Sequence, residues 1–226
     1  MSRRETSRDR QGADQRSSFR YNGLMARFIS RRKTTPKVRG GKVQRKNRSK
    51  PTPNYYNTPH SVPVLERQRP GPGHRHLIRK AHLIDFISIL PDWEELSVGL
   101  NAVLLAPAEE GADGWHDEGV VAVCAWRRTI WTEWTPQYVR DHRRMLRRLG
   151  VPCEKHGSEY TCRFTEATAR AFQLLHVLLH ELGHHHDRMT TRSKRRSARG
   201  EGYAEHYANQ YADLIFERYV EVLGLE

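Results

Sequence analysis

Three cysteines in 226 residues are too few, and odd in number, for a disulfide framework. Cys124, Cys153 and Cys162 point instead to a reducing compartment. Only in an exported chain would Cys153 be expected to join Cys162 across the short hairpin they flank. No apolar core follows Met1-Ser-Arg-Arg-Glu5, so a secretory signal is not expected, and no apolar run is long enough to cross a bilayer. A soluble, cytoplasmic protein is the expectation. Acidic residues are scarce at one end: residues 1–80 carry 22 Lys and Arg against 4 Asp and Glu, whereas residues 81–226 carry 17 against 22. The net charge of +13 therefore belongs to the N-terminal segment. Large apolar side chains are also scarce there. Residues 1–73 cannot bury enough surface to offset their ordering entropy and are expected to be disordered, with a transient helix at most over Tyr21–Ile29. Prolines and glycines at Pro51–Pro59 and Pro70–Gly73 make its last part an extended linker. Such a tail suits either a solvated leader or contact with nucleic acid, by neutralising phosphates and stacking Tyr55 and Tyr56 on bases. Internal repeats are absent.

What remains, residues 74–226, has the composition of one globular domain with a single core. Residues 77–90 read as a helix stopped by Pro91, and Leu96–Leu105 as a strand. Gly111–Glu118 is polar and reads as a loop. Gly119–Trp126 and Thr129–Trp134 look like a hairpin turned at Arg127-Arg128. A basic helix spans Pro136–Leu149, with Gly150 ending it. Cys153–Phe164 reads as a second hairpin. Thr165 is a fitting N-cap for a long helix reaching Asp187. A basic loop, Arg188–Gly200, leads to a last helix from Glu201 to about Leu223.

The chemistry concentrates at the end of the long helix, in His176-Val-Leu-Leu-His180-Glu181-Leu-Gly-His184-His185-His186-Asp187. Residues four apart on a helix differ by about 40° in direction, so His180 and His184 share a face and can share a metal ion. Glu181 lies about 60° beyond His184, placed to reach a metal-bound water without occupying a coordination position. Neutral imidazoles and an activated water suit Zn2+. A catalytic zinc site takes three protein ligands, so one more is needed. Glu205 is the preferred candidate, because Ala208, Asn209 and Ala212 on its face allow close helix approach and Asn209 can orient a carboxylate. Glu201, His206 and Asp187 also stay open for that role. His176 suits a core histidine or a group orienting a ligand. His185 and His186 point off the His180/His184 face.

His180-Glu-Leu-Gly-His184 followed by Glu205-His-Tyr-Ala208-Asn209-Gln-Tyr211-Ala212 resembles the zinc-dependent metallopeptidases of the ImmA/IrrE type, within the gluzincins. Tyr211 stands where that pattern usually has Phe. The resemblance covers roughly residues 160–215. It implies a compact α+β, zincin-like domain with a small sheet behind an active-site helix. It also implies His180, His184 and Glu205 as metal ligands, Glu181 as general base, and a protein or peptide substrate, often a regulatory protein. That family often carries a helix-turn-helix module, and none is found here. Gly119–Trp126 or Thr129–Trp134 would be the edge that pairs with an extended substrate. Tyr203, Tyr207, His185 and His206 are candidates to stabilise an oxyanion. Two further readings stay open: a nucleic-acid-associated protease of the SprT-like kind, whose third ligand is a histidine, and a non-catalytic zinc protein that binds nucleic acid.

Overall fold

The computed structural model describes residues 63–117, 119–191 and 198–225, with the backbone of 38–39 and 42–43. The chain divides into two units, Met1–Asn47 and Arg48–Glu226. In the first, β1 (Val38–Arg39) and β2 (Lys42–Val43) pair antiparallel. Residues 1–37, 40–41 and 44–62 of the basic tail, with their expected disorder and nucleic-acid contacts, lie outside the described residues.

The second unit is a mixed α+β body. Its main sheet has the order β3 (Val64–Arg67), β5 (Ala102–Ala106), β7 (Val120–Cys124), β6 (Gly114–Asp117). The first three are parallel, and β6 is an antiparallel edge on β7. Every residue of β5 and β7 is buried. Central parallel strands are covered on both faces, so they read as unbroken apolar runs instead of alternating ones. One face gathers Ala102, Leu104, Ala106, Val120, Ala122 and Cys124, with Trp115 packed against it. Among the described residues of this unit there are two other small sheets. β4 (His74–Arg75) pairs with β8 (Trp126–Arg127), and β9 (Trp131–Trp134), β11 (Glu159–Arg163) and β10 (Cys153–His156) form an antiparallel triplet.

Several sequence expectations are corrected. The folded body includes Val64–Arg67, ahead of residue 74. Leu96–Leu105 is not one strand: α2 (Trp93–Leu96) precedes it, and Gly99 at φ 72° turns the chain before β5 can begin. Gly111–Glu118 holds a strand, β6, because pairing to β7 overrides the weak strand propensity of Gly and Asp. β7 and β9 do not form a hairpin. Arg127 is paired to His74, and β9 turns to β11 instead. The helix over Pro136–Leu149 breaks at His142 into α3 (Pro136–Asp141) and α4 (Arg143–Arg148). The Cys153–Phe164 hairpin is present, and Cys153 and Cys162 stand opposite each other in it, joined as a disulfide.

Helix α1 (Lys80–Ile89) packs against β3 and α7 (Glu201–Leu223). The long helix opens as expected at Thr165, whose hydroxyl accepts from the Thr168 backbone N–H in a capping box. It then runs as α5 (Glu166–Phe172), a π-helical stretch Gln173–Leu178, and α6 (Leu179–Thr191). All six π-helical residues are buried. The Gln173 side-chain amide donates to the Cys124 carbonyl at the end of β7. That bond ties the wide turn to the sheet just ahead of the histidine motif, the kind of place where π-bulges recur. Phe172 is fully buried against Trp126, Trp134 and Phe164. Burial of a side chain of this size contributes about 1.5–3 kcal/mol. Among the described residues no helix is long and apolar enough to cross a membrane.

Candidate metal centre

Helices α6 and α7 lie against each other at the site. They approach closely at Gly183, where an added Cβ would stand 2.9 Å from Ala204 Cα and 3.1 Å from the Ala204 carbonyl oxygen. The small residues Ala204, Ala208 and Ala212 are part of the buried face of α7, with Tyr207, Ile215 and Tyr219. This crossing sets the register of the acidic residues. Glu201, one turn before Ala204, comes over His180 and His184. Glu205, one residue past the crossing, faces back toward His176.

Three donor atoms converge at the first place. His180 Nε2 lies 3.0 Å from Glu201 Oε2 and 3.1 Å from His184 Nε2, and His184 Nε2 is 3.5 Å from Glu201 Oε2. All lie close enough to hold one metal ion. His180 and His184 are largely buried, while the Glu201 side chain is 84% exposed and so open to solvent. Two imidazoles and one carboxylate are a donor set that zinc accepts.

The expected third ligand, Glu205, is placed elsewhere. Its Oε2 is 3.5 Å from His180 Nδ1, the ring nitrogen turned away from Glu201, and 3.8 Å from His176 Nε2. Its Oε1 accepts from the Asn209 amide at 2.8 Å, so the orienting role read for Asn209 is realised on this carboxylate. Asp187 and His206 do not join the group either. Buried Asp187 accepts from the Arg199 backbone N–H at 2.7 Å, fastening the segment before α7 to α6. His206 is exposed.

Glu181 is 7% exposed and faces the edge strand: a Cβ on Gly114 of β6 would meet Glu181 Cγ at 3.1 Å and Val177 Cγ1 at 2.6 Å. The glycine is what lets β6 lie this close to the helix. Burial pushes the Glu181 carboxyl up from 4.5 to about 7, against the opposing pull of His180. Burial tends to lower His180, but Glu205, Glu181 and Glu201 together outweigh it and leave the ring raised. His184 is lowered by burial and by His180.

The neighbouring candidates separate cleanly. His185 is buried toward the sheet, donating to the Val98 carbonyl at 2.9 Å and touching the His116 ring. His186 is hydrogen bonded to the Tyr203 hydroxyl at 2.7 Å and stacked on its ring. Neither His185 nor Tyr203 is therefore directed at the metal-ligand group. Trp126 is core and Trp131 is an exposed edge residue. Two residues at the site carried no sequence signal. His142 lies at the α3–α4 break, stacked on Tyr138 and edge-on to His176. The Tyr138 hydroxyl donates to Asp113, just before β6.

Comparison with protein families, with curated proteins and with solved structures finds no match for this chain.

Proposed function

We propose that this chain is a zinc-dependent metallopeptidase, and the convergence of His180 Nε2, His184 Nε2 and Glu201 Oε2 beside buried Glu181 is the observation that carries the reading. His180, His184 and Glu201 would hold the ion, and zinc held there would supply Lewis-acid chemistry toward a substrate carbonyl and water. The protein's part is positioning and proton transfer. Glu181 stands at the sheet edge, takes the proton from the attacking water and returns it to the leaving amine. A carboxyl raised by burial is suited to both duties. Glu201 takes the third-ligand role first read for Glu205, and Glu205 orients His180 through Nδ1, as carboxylates commonly do behind a metal-bound imidazole.

The edge that accepts an extended peptide is β6, not Gly119–Trp126 or Thr129–Trp134. β7 is enclosed between β5 and β6, and β9 belongs to the other sheet. Gly114 of β6 lies directly against Val177 and Glu181, so a peptide pairing along this strand runs beside the metal-ligand group. The substrate class is thus a protein or peptide in extended conformation. A carboxylate as the third donor favours a gluzincin over a SprT-like protease, which takes a histidine. A nucleic-acid contact through the basic tail is part of this proposal and rests on composition. The cytoplasmic location read from the few cysteines is not carried into it, because the Cys153–Cys162 bond is the pairing expected of an exported chain.

Glu181→Gln tests it. The variant should keep wild-type zinc content and lose cleavage of casein and of itself, with or without DNA. Mass spectrometry of proteins it traps would then name the substrate. Wild-type cleavage by the variant would remove Glu181 as the base. Zinc binding without cleavage by the wild type, under every condition, would favour the non-catalytic reading.

A further inference from the structure

We infer that His142, His176 and Glu205 form a second divalent-cation site, separate from the His180/His184/Glu201 group. One donor atom from each lies within 4.8 Å of the others, the spacing at which a single ion can be shared. The set is again two imidazoles and a carboxylate, which selects a borderline first-row ion such as Zn2+ over Mg2+ or Ca2+.

Three details make this a built site instead of a chance grouping. His142 Nδ1 donates to the Tyr138 carbonyl at 2.7 Å, which fixes the tautomer and leaves the Nε2 lone pair for an ion. The ring is held against Tyr138, with centroids 3.9 Å apart. Asn209 occupies Glu205 Oε1 and leaves Oε2 toward His176. A carboxylate oxygen has two lone pairs, so Oε2 can accept from His180 Nδ1–H and still ligate.

The three ligands come from three elements: the α3–α4 junction, the π-helical stretch and α7. An ion there would pin all three together behind His180. It also accounts for two departures from regular helix, since the break at His142 and the wide turn at His176 both bring rings to the same place. The two sites lie on opposite ring nitrogens of His180, and the second would hold that ring without touching substrate. It stands independently of the hydrolase reading.

The test is stoichiometry. The full chain is stripped with chelator, loaded with Zn2+, desalted, and its retained metal measured. Two equivalents per chain are expected in the wild type. One is expected in His142→Phe, which keeps a ring against Tyr138, and one in His184→Ala. None should remain in the double variant. If His142→Phe does not fold, Glu205→Gln should retain one equivalent. A single wild-type equivalent, lost in His184→Ala and kept in His142→Phe, would overturn this site and leave the proposed hydrolase intact. A single equivalent with the opposite pattern would overturn the catalytic site and leave this one. Two equivalents in both His142→Phe and Glu205→Gln would also overturn it.

Discussion

At the residue scale the informative contrast is between two glutamates four positions apart on one helix. Both face the long helix, and both contact His180, but on different nitrogens. Glu201 lies with the Nε2 atoms of both motif histidines, and Glu205 lies with Nδ1. A ligand and a group that only orients a ligand should differ in their effect on affinity. Losing an orienting partner typically costs 10–100-fold. Glu201→Ala should therefore lower zinc affinity at the His180/His184 site by more than that range, and Glu205→Ala within it. Zinc titration against a competing chelator, on a His142→Phe background so that one site is read, checks the order. The reverse order would return Glu205 to the coordination sphere.

At the scale of elements the site depends on how closely two helices cross. Gly183 has no room for a side chain, since a Cβ there would meet Ala204 backbone at 2.9 Å. Relief requires α7 to move, because the obstacle is main chain and not a flexible tip. Overpacking of this kind costs about 1–3 kcal/mol. Gly183→Val should destabilise the fold by about that much, and should weaken zinc binding as well, because displacing α7 carries Glu201 away from the histidines. Thermal melts and zinc titration of the same variant measure the two effects. A loss of stability with unchanged affinity would show that the crossing does not set the ligand position. Gly114 plays the matching role on the other side, letting β6 lie against Val177 and Glu181.

For the whole molecule, the burial of uncharged histidine links stability to pH. His185 is 1% exposed and its pKa is lowered, by burial first and then by Arg188 and His186, against the bond to the Val98 carbonyl. In the unfolded chain the imidazole takes up a proton near pH 6.5. The unfolded state then binds more protons than the folded one below that pH, so stability falls with falling pH. The contribution is complete above about pH 6.5 and is lost progressively below it. Other groups titrate over the same range, and a comparison isolates this one. His185→Gln should lose less stability than the wild type between pH 7.5 and 5.5. Denaturant midpoints at the two values give the result, and equal losses would remove His185 from the acid response.

Spacing along the chain was enough to single out His180, Glu181 and His184, because a helix repeats every 3.6 residues wherever it sits. Local chemistry likewise marked the Thr165 cap, the Cys153–Phe164 hairpin, the last helix and its stripe of small residues. The α+β class came from the resemblance of the two motifs to a metallopeptidase family, and the mixed sheets and helices of the fold agree with that class. Tertiary packing decided what depends on distant neighbours. Glu201 came over the histidines and Glu205 did not because Gly183 meets Ala204, a contact between residues 21 positions apart. β6 became the edge strand through pairing to β7, although its own residues favour a loop. His142 reached His176 only where the helix broke and an aromatic cluster gathered both rings. Periodicity specifies which side chains share a face, while the crossing point of two helices specifies which of those faces meet.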